Sequence, residues 1–311
     1  MRAINNPKII ERKAVRVDVG ALSIALIGYL IITSFAALVI VFMTGVRING
    51  VVYLLSSLVG LAFIRFCYRG NFDLGGIMEE TREIPAKVLV NAFVCVVGLQ
   101  PVFQLMGQAT EWVFLQFDRE ISFSDFNPHN GGLIFVLLNA AAIGPVVEEI
   151  LFRGVALRVL LRYGRNFAIV VSAALFGFYH ANFLQFGHSF AIGLILGYIT
   201  CRYAIKWAIV LHCLHNLLMI AVSMANVPWF VNYGFFGIFT LWAIVIAIMK
   251  FGKVKRFSDK GRSLKNAYKY AVSVPWLLVY IVLAVFLAIA QTHVIPADQA
   301  SSAPAPNLPR V

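Results

Sequence analysis

The sequence predicts an all-α polytopic membrane bundle of about eight to nine spans. Three observations carry that expectation. The 311 residues are 60% hydrophobic and only 13% charged, whereas soluble domains carry about 25% charged residues. Mean hydropathy is +0.83. Several apolar runs reach the roughly 20 residues that a helix needs to cross a bilayer.

Apolar runs and their breaks place spans near 18–45, 48–68, 85–107, 131–152, 166–183, 188–203, 206–226, 233–250 and 271–292. The first follows five basic residues (Arg2, Lys8, Arg12, Lys13, Arg16) and is about 25 residues long, too long for the 7–15 of a signal peptide. It is expected to stay in the membrane, with residues 1–17 as a cytoplasmic N-terminal segment.

Charge sets the expected orientation, because Lys and Arg favour cytoplasmic loops. Counting the N-terminus first, the odd-numbered gaps hold five, four, four, two and eight basic residues. Only Arg47, Arg119 and Arg310 of the 26 Lys and Arg fall on the other side. The N-terminus is thus expected in the cytoplasm and the C-terminus outside. The net charge of +12 becomes a membrane-facing feature rather than a nucleic-acid footprint, and no nucleic-acid partner is expected. The basic stretch 250–269 suits anionic lipids at the cytoplasmic face, at about 1 kcal/mol per basic residue. An acidic, aromatic loop over 108–130 is expected at the outer interface, and the Pro/Ala/Ser-rich tail 296–311 is expected to be disordered. Cys67, Cys95, Cys201 and Cys213 show no CxxC spacing and read as small apolar residues.

Against this background, "GPVVEEILFRG" is expensive: each charge at a bilayer centre costs about 2.5–3.5 kcal/mol. Glu149 and Arg153, four apart on a helix, share a face and can neutralise each other. Glu148 points about 100° away, free of that pair. The next span holds Phe176 and His180 at the same spacing, and the seventh holds His212 and Asn216. Glu148 and His180 lie equally far from the basic turn at Gly164, and His212 lies about 9 Å into its span. The three helices can therefore present polar groups to one point below the cytoplasmic face. His215 points off the His212–Asn216 face and reads as structural, while His129, His188 and His293 are expected in outer loops or at a span end. A carboxylate, two imidazoles and a carboxamide are the groups needed to activate a water and stabilise an oxyanion.

These residues resemble the CPBP family of intramembrane proteases, named for CAAX proteases and bacteriocin-processing enzymes and also called the ABI family. EExxxR is met by Glu148, Glu149 and Arg153, FxxxH by Phe176 and His180, HxxxN by His212 and Asn216. The resemblance covers residues 130–226 as a catalytic core, between accessory helices at 18–129 and C-terminal helices at 227–295. It implies an endopeptidase of membrane-anchored peptides or proteins, of CAAX-type or leader-peptide processing, in a bacterial plasma membrane. In it, Glu148 activates water with help from His180, while His212 and Asn216 hold the oxyanion. Glu149, Arg153 and Phe176 support them. It leaves open a zinc held by Glu148, His180 and His212, the three-ligand set of a catalytic site; the absence of HExxH favours glutamate chemistry. Two other classes stay on the table. A proton-coupled transporter also buries Glu and His, but neither inverted repeats nor polar residues reaching both faces are evident in the sequence. A non-catalytic immunity or scaffold protein could keep the same fold.

Overall fold

The computed structural model describes residues 7–45, 50–68, 82–121, 133–254 and 266–294. The tail 296–311, most of the basic stretch 250–269, and the loop beyond Ile121 with His129 lie outside the described residues.

Helices dominate: α1 (Pro7–Thr44), α2 (Gly50–Cys67), α3 (Ala86–Gly98) and α4 (Gln100–Leu115) come first. A long composite segment then runs as α5 (Leu133–Leu138), a π turn (Asn139–Ile143), α6 (Gly144–Glu149), a second π turn (Ile150–Ala156), α7 (Leu157–Leu160) and a 3₁₀ turn (Leu161–Tyr163). After it come α8 (Arg165–Tyr179), α9 (Phe183–Arg202), α10 (Ile205–Ala225), α11 (Trp229–Val254), α12 (Ala267–Val272) and α13 (Pro275–Ala290). Six helical stretches, with α3 and α4 counted together, are long and apolar enough to cross a membrane. Their outward faces are apolar too: Phe42, Leu241 and Ile248 are each at least 67% exposed. Such continuous exposed apolar surface suits lipid and not water.

One element was not anticipated. Arg119–Ile121 (β1) pairs antiparallel with Thr292–Val294 (β2), tying the end of α4 to the end of α13.

The breaks in the helices have local causes. Pro101 has no N–H to give Val97, so α3 and α4 part at Leu99, whose N–H takes Val96 instead. Gly164 turns the chain between the 3₁₀ turn and α8 with φ of 110°, a conformation that a side chain resists. Gly98 lets α3 touch α11: a Cβ there would lie 2.8 Å from the Phe239 carbonyl oxygen, and Thr240 Oγ1 donates to Gly98 O at 2.8 Å.

The bundle has two dissimilar ends. Arg162 pairs with Asp18, Lys206 with Glu83 at 3.5 Å, and Trp207 Nε1 donates to the Arg82 carbonyl. These contacts gather the basic starts of α1, α3, α8 and α10 on one face. At the other end lie the β ribbon, the ring contact of Phe114 with Phe183, and the corner between α8 and α9. That corner is strapped to the end of α13: Gln291 Nε2 donates to Ala181 O at 2.9 Å and Asn182 Nδ2 donates to Gln291 Oε1 at 3.1 Å.

Candidate active site

The EExxxR stretch sits where the composite helix departs from α geometry. In the first π turn each N–H reaches the carbonyl five residues back, as Gly144 N does to Asn139 O. The next residue is Pro145, which has no N–H for Ala140. Asn216 fills the gap: its Nδ2 donates to Ala140 O at 2.9 Å. The Gly-Pro before the glutamates thus creates the acceptor that docks α10 onto this segment.

Glu148 and Glu149 close α6 and take different environments. Glu149 is fully buried and pairs with Arg153, also fully buried, at 3.0 Å. Arg153 lies over the Phe176 ring at 4.5 Å and donates to Gly193 O at 3.3 Å. That approach needs a glycine, because a Cβ on Gly193 would come within 3.0 Å of Ala173 Cβ. Glu148 instead keeps 17% of its side chain exposed and faces a cavity of about 660 Å³, within the roughly 300–1,000 Å³ of ligand pockets.

His212 joins the two carboxylates. Its Nδ1 lies 2.9 Å from Glu149 Oε1 and its Nε2 lies 3.7 Å from Glu148 Oε2. A carboxylate already held by Arg153 accepts the Nδ1–H, which turns Nε2 toward Glu148. Glu149, expected only to brace the helix, is therefore also the group that orients His212. Phe176 packs against both imidazoles, with its ring centroid 4.9 Å from that of His180 and 5.7 Å from that of His212. Glu148, His180, His212 and Asn216 all line the one cavity. The ion-pair partner of Glu148 is His212; among the described residues no hydrogen bond or ion pair joins Glu148 to His180.

Several lining residues had escaped the sequence reading. Gln100, Gln104, Gln108 and Glu111 form a polar stripe along α4 that lines the same cavity. Its spacing of four, four and three is the signal that would have revealed it, a helical polar face in an apolar span. His188, expected in an outer loop or at a span end, lies within α9, six residues beyond Asn182, and His215, set aside as structural, is buried in α10. Both line the cavity and their rings are 5.3 Å apart.

Among the described residues no three His, Cys, Asp or Glu side chains are grouped to hold a metal ion. The Phe176 ring packs against both His180 and His212. The set Glu148, His180 and His212 does not fit a metal as it stands.

Residues 130–218 match the family model Rce1-like, described as type II CAAX prenyl endopeptidase Rce1-like. That model is one of the CPBP/ABI family. The match spans both π turns, α6 and α10 as far as Leu218, so every motif residue lies inside it. At the level of the family, it implies a CAAX-type intramembrane endopeptidase acting on a membrane-associated protein. No curated protein and no solved structure matches the chain.

Proposed function

We propose that the chain is an intramembrane endopeptidase using Glu148 as general base. The observation that carries this reading is the Glu149–His212–Glu148 relay inside a polar cavity. Charge balance favours it: two carboxylates face one guanidinium, so a single proton held between Glu148 and Nε2 of His212 makes the cluster neutral. With that proton on His212, Glu148 is a free carboxylate at the cavity wall.

In the proposed reaction, Glu148 takes a proton from water as the water oxygen attacks the scissile carbonyl carbon. The oxyanion is met by His212 Nε2–H and by the Asn216 amide hydrogen not given to Ala140. His180, which packs against Phe176 and lines the same cavity, assists Glu148 in activating that water. When the C–N bond breaks, Glu148 returns its proton to the leaving amine. The α4 stripe faces the substrate, where amides and a carboxylate can satisfy peptide N–H and C=O groups that lipid leaves unpaired.

The test is hydrolysis in detergent solution of quenched fluorescent peptides, one with a lipidated C-terminus and one on a membrane anchor. Glu148→Ala and His212→Ala should abolish turnover while eluting like the unaltered protein in size-exclusion chromatography. Turnover unchanged in both variants overturns the assignment.

A further inference from the structure

At the basic face, α1 and the start of α13 enclose a second cleft of about 370 Å³. From α1 it takes Arg12, Lys13, Arg16 and Val17, and from the other wall Val274 and Trp276. None of these residues lines the catalytic cavity.

The cleft has a charged part and an apolar part. Arg12 and Arg16 stand four apart on α1, and Lys13 and Arg16 three apart, so the three cations share one stretch of helix surface and repel one another. Among the described residues no carboxylate relieves them. Asp18, two residues beyond Arg16, is taken by Arg162 and by the Tyr163 hydroxyl. The apolar part begins at Val17, which is 59% exposed, and at Trp276, which is 50% exposed. The indole lies against α1 at Gly20, where an added Cβ would stand 3.9 Å from Trp276 Cδ1. Gly20 is four residues past Arg16, so the ring sits about 6 Å further along α1 than the last cation. Cations followed at that distance by a half-exposed indole match the order of headgroup and upper acyl chain at a membrane surface.

We infer that this cleft is a binding site for an anionic phospholipid of the leaflet at the basic face. Its phosphodiester is held by Arg12 and Arg16, whose guanidinium groups suit phosphate oxygens, with Lys13 adding a third positive charge. The upper part of one acyl chain lies on Val17 and Trp276. A choline lipid has the same phosphodiester, but its trimethylammonium would face three cations with no acid among them, so the site selects a headgroup of net negative charge. A soluble phosphate would satisfy the cations and leave the apolar part uncovered. The bound lipid would bridge α1 to α13, two helices that the chain joins only through everything between them. The site does not depend on the endopeptidase reading.

The experiment places the full chain in phosphatidylcholine nanodiscs that carry a small fraction of lipid brominated on the acyl chain, either phosphatidylglycerol or phosphatidylcholine. Bromine quenches tryptophan at short range, and the share belonging to Trp276 is the difference between the unaltered protein and Trp276→Phe. Brominated phosphatidylglycerol should quench that share more strongly than an equal fraction of brominated phosphatidylcholine. Arg12→Gln and Arg16→Gln should each lower this preference about fivefold, the weight of one basic residue at a membrane surface, and Lys206→Gln, outside the cleft, should leave it unchanged. Equal quenching by the two lipids overturns the inference, as does a preference that survives both arginine variants. Loss of the preference when inorganic phosphate is added at the concentration of the brominated lipid overturns the lipid as occupant. Lys13→Gln, at an exposed position, gives the same reading if either arginine variant does not fold.

Discussion

Replacing Glu149 by glutamine separates holding the helix from orienting His212. At 3.0 Å and an effective dielectric of about 20, the attraction of Glu149 to Arg153 is about 5.5 kcal/mol. Breaking a buried pair by removing one partner costs about 3–5 kcal/mol, because the other charge is left buried and alone. Arg153 has no exposed surface and would keep the Phe176 face, the Gly193 carbonyl and the more distant charge of Glu148. Glu149→Gln should therefore lower the folded-to-unfolded ratio roughly 10²- to 10⁴-fold, read as a falling thermal midpoint in detergent. Turnover should fall about 10²- to 10⁴-fold, the usual weight of a positioned acid–base group.

A second substitution distinguishes the two losses. Arg153→Met added to Glu149→Gln removes the stranded cation and puts a thioether against Phe176. Exchanging a buried pair for apolar groups is often neutral or better, so the thermal midpoint should return close to that of the unaltered protein. Turnover should not return, because a neutral amide cannot balance a proton on His212. If the double variant recovers stability and kcat together, Glu149 only braces the helix and the orienting role is wrong.

Asn216→Ala should lower kcat about 10²- to 10³-fold, as loss of one oxyanion donor does, with KM in steady-state assays little changed. Gly193→Val forces a Cβ to within 3.0 Å of Ala173 Cβ and should destabilise the bundle by about 1–3 kcal/mol, seen in the thermal midpoint. Gln291→Ala removes both strap bonds to the corner at Ala181 and Asn182, at about 1 kcal/mol each; faster limited proteolysis at that corner and a lower kcat are expected. Exhaustive chelation should leave peptide turnover intact, and loss of activity that added zinc restores would refute the metal-free mechanism.

Much of the fold was legible because lipid permits few solutions: apolar runs of sufficient length must be helices. The Glu149–Arg153 pair followed from spacing alone and is present at 3.0 Å. Contacts between helices distant in sequence were not legible. Nothing in HxxxN says that Asn216 meets the Ala140 carbonyl, or that His212 bridges two glutamates; those contacts depend on where α10 crosses the composite helix. His188 was lost for a different reason. In "FLQFGHSF" the predicted span starts only at His188, which puts that residue at a span end, whereas Asn182 caps α9 by accepting from Leu184 N at 2.9 Å. The β ribbon pairs residues as distant in the chain as Arg119 and Val294, and no local pattern announces such a pairing.

The two π turns explain why adjacent glutamates can have opposite fates. Glu148 and Glu149 end a six-residue α-helix with π geometry on either side. Each π turn fits an extra residue and rotates the helix beyond it, at the cost of backbone bonds that neighbours must restore. Asn216 restores one on the first turn, at the carbonyl that Pro145 leaves open. On the second turn lies Arg153, whose pairing with Glu149 fixes one carboxylate inward and leaves its neighbour, about 100° around the helix, turned to the cavity. A helix kept regular by Pro145→Ala would supply Ala140 with an N–H, release Asn216 and change the angle at which Glu148 meets His212. Loss of turnover in that variant, with the thermal midpoint maintained or raised, is the expected result. An equally active Pro145→Ala protein would show that the irregular backbone is incidental to the chemistry.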